Sequence, residues 1–294
     1  MRITQRAVAL TSLQGLNRNL DAVGKLQQQL TSGRLINAPS DSPTGTNKAM
    51  QTRSEQAAVA QQSRNIGDAK GWLEQADSTL REMLTTTRRV RDLTVQGLNA
   101  GAVSDTSQNA LATEVASLKE GLLGLANTAV QGRPLFGGVT PGGKAYNDDG
   151  TYAGLDTPAG VMRRLSPSET LRVDVSALAT FGPDGDNLFD IVGRIATDLT
   201  ADPAALEGHL TDLDAVMKRM MTSVADVGAR ASRVERADQL NFDRSLSLTA
   251  QLGETENIDL PETIMRLEMQ KVGYEAALAA TAKALSPTLL DYLR

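Results

Sequence analysis

No cysteine occurs among the 294 residues. Disulfides, thiolate nucleophiles and Cys-ligated zinc are therefore excluded. Aromatic residues make up only 3% of the chain, with a single tryptophan. Wide globular cores take much of their bulk from such rings, so Leu, Val, Ala and Met must do the filling here. That suits thin helix–helix seams. There is one histidine, His209, which leaves little from which to build a His-based metal site or catalytic triad. A basic surplus is also missing: the net charge is −5, which argues against nucleic acid as the main partner. No apolar run is long enough to span a bilayer, so no membrane partner is expected. Met1–Leu30 has no unbroken apolar core, so no cleavable secretory signal is read there.

What the chain does have is helical periodicity. Ile3, Ala7, Leu10, Leu13, Leu16, Leu20, Val23, Leu26 and Leu30 recur mostly by threes and fours, close to a heptad seam. Their flanks are mainly uncharged polar residues. "SGRLINAPSDSPTG", residues 32–45, then breaks the pattern. Ser42 before Pro43 reads as an N-cap with proline at the first helical position. A second helix runs from there to about Asn99. Asp105 with Gln108 has capping-box spacing and starts a third helix, expected to stop near Gly132. Asp202 and Pro203 restart a helix with the seam Leu206, Leu210, Leu213, Met217, Met220, Val224, Val227, Ala231 and Val234. "GETENIDLPE", residues 253–262, is a second break, with Asp259 and Glu262 at capping-box spacing. A last helix carries Ile264, Met265, Leu267, Met269, Val272, Ala276, Ala279 and Leu285.

Between residues 133 and 189 the composition changes to glycine, proline, aspartate and tyrosine. "NDDG" reads as a hairpin turn and "TLRVDVSAL" alternates as a half-buried strand does. The expected fold is therefore mainly α with an inserted small β-rich domain. Residues 1–35 with 256–294 form a terminal helical domain, 36–132 with 190–255 a helical rod, and 133–189 the β-rich insert.

The motifs that might carry chemistry have simpler readings. "GVTPGGKA", residues 138–145, satisfies G-x-x-x-x-G-K, but Ala145 replaces the magnesium-binding hydroxyl and a turn-rich segment follows in place of a helix. It reads as a glycine turn. "PDGDN", residues 183–187, lacks the closing glutamate of a calcium loop and reads as a turn opening a helix at Asn187. The arginines Arg81, Arg88, Arg89 and Arg91, interleaved with Glu82 and Asp92, read as a solvated face. His209 reads as a solvated residue on a polar flank. No catalytic residue, cofactor or metal site is assigned.

The terminal seams are different. A pair of helices that buries one strip between them leaves its other faces short of partners. They are read as packing against further copies or related subunits. The assembly residues are Ile3, Leu10, Leu13, Leu16, Leu20, Val23, Leu26, Leu30, Ile264, Leu267, Val272, Ala276, Ala279, Leu285 and Leu289. Gly33, Pro39, Pro43, Gly253 and Pro261 mark the hinge, where the paired breaks are expected to bend as the termini lock into an assembly.

"RITQRAVALTSLQGLNRNLDAVGKLQQQLTSGRLINAPSDSPTG" resembles the start of the bacterial flagellin family. "ADVGARASRVE" resembles its returning helix, and "LPETIMRLEMQKVGYEAALAATAKALSPTLLDYLR" its C-terminal portion. Within the family, "MRIT", "GRPLFGG" and "LLDYLR" are most similar to members at the junction of hook and filament. The resemblance implies an elongated helical rod with the N- and C-terminal helices paired as a coiled coil. It also implies export through the flagellar type III channel and self-association in a thin layer. The implied partners are the first hook–filament junction protein, flagellin and an export chaperone that holds the C-terminal helices. The alternatives are a flagellin filament subunit, a secreted enzyme with its site in residues 133–190, and a coiled-coil adaptor.

Overall fold

The computed structural model describes residues 2–99, 104–158 and 160–285. Its elements in chain order are α1 (Arg2–Ser32), α2 (Pro43–Leu98), α3 (Asp105–Ala126), β1 (Ala129–Val130), β2 (Arg133–Pro134), β3 (Met162–Arg164), β4 (Thr170–Arg172), α4 (Ala177–Phe181), α5 (Leu188–Ala201), a 3-10 turn (Pro203–Ala205), α6 (Leu206–Glu256) and α7 (Leu260–Leu285). The protein is mainly α with a small two-sheet strand region, as expected. It divides into two compact units: residues 1–58 with 244–294, and residues 59–243. The division falls inside α2 and α6, which are continuous helices of 56 and 51 residues.

The larger unit holds the main core. From α2 it takes Ile66, Leu73, Leu80 and Val90, from α3 Val115 and Leu122, from α5 Ile191 and Ile195, and from α6 Leu213, Met220, Val227 and Val234. The α6 seam is thus largely buried as its spacing predicts, with Leu210, Val224 and Ala231 at its half-covered edge. The scarce aromatics are concentrated. Phe136, Phe181, Phe189, Tyr146 and Tyr152 form one connected cluster, with edge-on or tilted pairs at 4.7–6.1 Å between ring centres. The short insert has few secondary-structure seams to bury, so rings supply its interior.

Helix starts follow the cap chemistry closely. The Ser42 hydroxyl accepts from the Gly45 amide at 3.1 Å, with Pro43 first in the helix. Asn187 makes a full capping box with Asp190. Asp202 accepts from the Ala204 amide and opens the 3-10 turn that leads into α6.

Three expectations need correction. The Asp105–Gln108 box does not form; Ser104 is the N-cap, its carbonyl taking the Ser107 and Gln108 amides. Helix α3 ends at Ala126, not near Gly132, because Asn127 leaves the helix. Its side chain accepts from the Ala145 and Tyr146 amides and donates to the Tyr146 carbonyl. Gln131 and Gly132, both at positive φ, then form the two-residue loop of the β1–β2 hairpin. The strand in "TLRVDVSAL" is only Thr170–Arg172, paired with Met162–Arg164. It stops because Asp174 turns inward, where its buried carboxylate accepts from the Val161 amide at 2.7 Å and from Arg172. The hairpin turn at "NDDG" does form: Gly150 donates to Asn147, and Tyr146 bridges Tyr152.

Candidate assembly faces of the terminal helices

The chemical motifs are accounted for internally. In "GVTPGGKA" four amides have internal partners: Val139 donates to Leu155, Thr140 to Gly137, Gly142 to Thr140, and Ala145 to Asn127. Lys144 pairs with Asp148 at 2.7 Å. Gly138, at φ +61°, lies so close to the Leu155 carbonyl that an added Cβ would sit 2.3 Å from its oxygen. This glycine serves a backbone crossing. In "PDGDN" the Asp190 carboxylate accepts from the Gly185 and Asn187 amides, and Asp186 pairs with Arg194. No group of three or more His, Asp or Glu placed to hold a metal occurs among the described residues, and no helix there is long and apolar enough to cross a membrane.

The arginine face is exposed, as read. Its partners are Asp77, Glu114 and Asp214, not the interleaved Glu82 and Asp92. The hydrogen bond that Arg81 donates to Asp77 raises the Arg81 pKa, and the one that Arg91 donates to Asp214 does the same for Arg91. His209 corrects its expectation. Its side chain is only 15% exposed, and its Nε2 lies 2.7 Å from Asp198 of α5. The Asp202–Ala205 turn folds the end of α5 back against the start of α6, a proximity that sequence spacing does not show.

The terminal helices lie in the smaller unit, where α1 packs against α7. The covered side of α1 is Ala9, Ser12, Leu16, Asn19, Val23, Leu26 and Leu30; that of α7 is Thr263, Leu267, Gln270, Tyr274, Ala277 and Thr281. Both step by alternating threes and fours, the spacing of a heptad seam. Only Val23 and Leu267 are buried apolar residues of this pair among the described residues. Gln270 donates to Asn19 across the seam at 3.2 Å.

Of the residues read as assembly contacts, Val23 and Leu267 are therefore consumed inside the chain, and Leu16, Leu26 and Leu30 are half-covered. Leu10, Leu13 and Leu20 of α1 and Ile264, Val272, Ala276 and Ala279 of α7 point outward. Met265 and Met269, read from the sequence as part of this helix, are not among the residues read as assembly contacts. With Val272, Ala276 and Ala279 they form an uncovered stripe at the same alternating spacing. The signal was present in the spacing, but a stripe chosen by apolar content alone runs between the two faces. The side chains of Ile3 and Leu285, and all of Leu289, lie outside the described residues.

The two breaks meet each other. Gly33, at φ +69°, closes α1. Arg34 bridges Asn257 in antiparallel fashion; Leu35 donates to Glu256 at 2.6 Å and Ile258 to Gly33 at 3.2 Å. Pro39 lies in the first break and Pro43 begins α2. Gly253 lies within α6 and Pro261 within the first turn of α7, so the second break is only Asn257–Asp259. Asp259 caps α7 through the Glu262 amide at 3.0 Å.

Paired terminal helices with uncovered apolar stripes, in a mainly helical chain with one small strand region, fit a structural protein. Comparison with known proteins agrees. Residues 3–140 match the bacterial flagellin N-terminal helical region. Flagellar hook-associated protein 3 of Escherichia coli K12 is 24% identical over 95% of this chain and 96% of its own. Flagellin of Bacillus subtilis 168 is 25% identical over 97% and 96%. The crystal structure of Bacillus cereus FlgL superposes with a TM-score of 0.61 at 23% identity, covering 69% of this chain and 99% of its own. The flagellin match thus spans just under half of the chain, and the similarity to hook-associated proteins and flagellins runs over nearly all of it.

Proposed function

We propose that this protein is a structural component of the bacterial flagellum, forming the layer between hook and filament on which flagellin assembles. The observation that carries this reading is end-to-end correspondence with a hook-associated protein, joined to outward apolar stripes on both terminal helices. Residues 1–35 with 256–294 serve as the assembly domain, 36–132 with 190–255 as the rod, and 133–189 as an outer insert. The protein works without catalysis, outside the cell, after export through the flagellar channel. Its partners are further copies of itself, the first junction protein, flagellin, and an export chaperone before secretion.

One observation favours a second reading: the similarity to Bacillus subtilis flagellin is as extensive. Immunolabelling of purified hook–filament structures separates the two. A single band at the junction is expected. Label along the whole filament would assign the chain as filament subunit, and its absence from flagella would overturn both readings.

A further inference from the structure

We infer that the long helices carry their own contact with a second copy of the chain: Phe242 of one copy seats in a groove between α2 and α6 of the next, with Asp238 beside Arg88. The inference deepens the assembly reading above and rests on it. All the residues concerned lie in the larger compact unit. The groove has a volume of about 360 Å³. Leu84 and Val224 give it an apolar floor, and Met221, 46% exposed, an apolar rim; Arg81, Thr85 and Arg88 line its α2 side. Of the arginines in this row, Arg81, Arg89 and Arg91 have acidic partners. Arg88 has none among the described residues. The groove thus offers apolar surface beside an uncommitted cation.

The complement stands on α6. Three of the four phenylalanines are fully buried, whereas Phe242 is 64% exposed. Asp238, one turn earlier on the same helix face, is exposed and has no ion-pair partner among the described residues. A ring and a free carboxylate one turn apart match an apolar floor and a free guanidinium one turn apart. The direction matches too. The Arg91–Asp214 and Val59–Asn241 contacts make α2 and α6 antiparallel. In two copies of the same orientation, placing Phe242 over Leu84 therefore brings Asp238 level with Arg88, about 6 Å along both helices. Glu235, a further turn on, comes level with Arg91 and Asp92, whose charges offset each other. The second copy is then displaced along the helices by about 30 Å, the rise from position 221 to position 242. Two different patches meet, so the contact is heterologous and repeats from copy to copy into a ring or helix.

Charge exchange tests the pairing. Arg88→Asp and Asp238→Arg each alter an exposed side chain, so the isolated chain should keep its helicity. Either alone should raise the concentration needed to join purified hook–filament structures on the order of tenfold, and the two together should restore it. Unimpaired single variants, or a double variant no better than the singles, would overturn the inference. The absence of cysteine allows a second test, with Thr85→Cys and Phe242→Cys introduced together. Oxidation of flagella assembled from this variant should give a ladder of chain multimers, and neither single variant should give one. No ladder, dimers from Phe242→Cys alone, or its capture by a different flagellar protein would overturn the inference. Failure of the unaltered chain to join at all would strike the assembly reading itself.

Discussion

Replacing Leu10, Leu13 and Leu20 together by alanine should separate assembly from folding. These side chains are 52–55% exposed in the free chain, so about half of each is already covered. Fully burying a leucine contributes roughly 1.5–3 kcal/mol, and covering the exposed half contributes about 1 kcal/mol. Three such residues sum to about 3 kcal/mol, which at ~1.4 kcal/mol per decade raises the concentration needed for assembly roughly 100-fold. The isolated chain should barely notice, since alanine has the higher helix propensity and the inner seam is untouched. Val23→Ala and Leu267→Ala should do the reverse. Each removes a buried side chain from the α1–α7 seam at a cost of about 1–3 kcal/mol, and loosens the pair before any partner arrives. Helicity of the isolated chain by circular dichroism reports the loosening of the pair. Incorporation into purified hook–filament structures, titrated with added protein, reports the loss of assembly. The reasoning fails if the triple variant loses helix as Val23→Ala does, or joins at the unaltered concentration.

Two further outcomes follow from single side chains. Asn187 is fully buried, caps α5 and donates to the Gly150 carbonyl at 3.0 Å. Asn187→Ala should cost about 2–4 kcal/mol, from a lost cap and an orphaned buried carbonyl. Asn187→Ser should recover the capping part, as read by urea unfolding with the single buried tryptophan, Trp72, as probe. At Asp41 the hydrogen bond from Lys25, followed by those from the Ala38 and Asn37 amides, lowers the carboxylate pKa. A carboxylate depressed on folding contributes stability above its unfolded pKa of about 3.9 and loses it as pH falls through the folded value. Protection of the Asn37 and Ala38 amides, corrected for intrinsic exchange, should therefore hold from neutral pH to about pH 5 and decline below about pH 4. Asp41→Asn should abolish that decline, and an unchanged pH profile in this variant would refute the assignment.

Much of this protein is written locally. Ser42–Pro43, Asn187–Asp190 and Asp202–Pro203 each place a side-chain acceptor beside amides that have no helical partner, so the start of a helix follows from a few adjacent residues. The α6 seam was legible because four heptads of apolar residues face one core. The inner face of α7 was not. Thr263, Gln270 and Thr281 are covered there while Met265, Met269 and Val272 stand outside, so apolar content alone points to the wrong side. Asn127 and Asp174 were equally illegible, since what ends α3 and β4 is a set of amides about 13–19 residues away.

The sequence by itself determined the helices, the two breaks, the absence of thiol and His-rich chemistry, and the flagellin likeness of both ends. Each is a matter of composition or of neighbours within a turn or two. Only the tertiary structure decided which stripe of each terminal helix is covered within the chain and which stays exposed. Only it showed that the breaks close on each other through Leu35–Glu256 and Gly33–Ile258. Those bonds join residues more than two hundred positions apart, and their geometry depends on how the helices return, which no local pattern encodes.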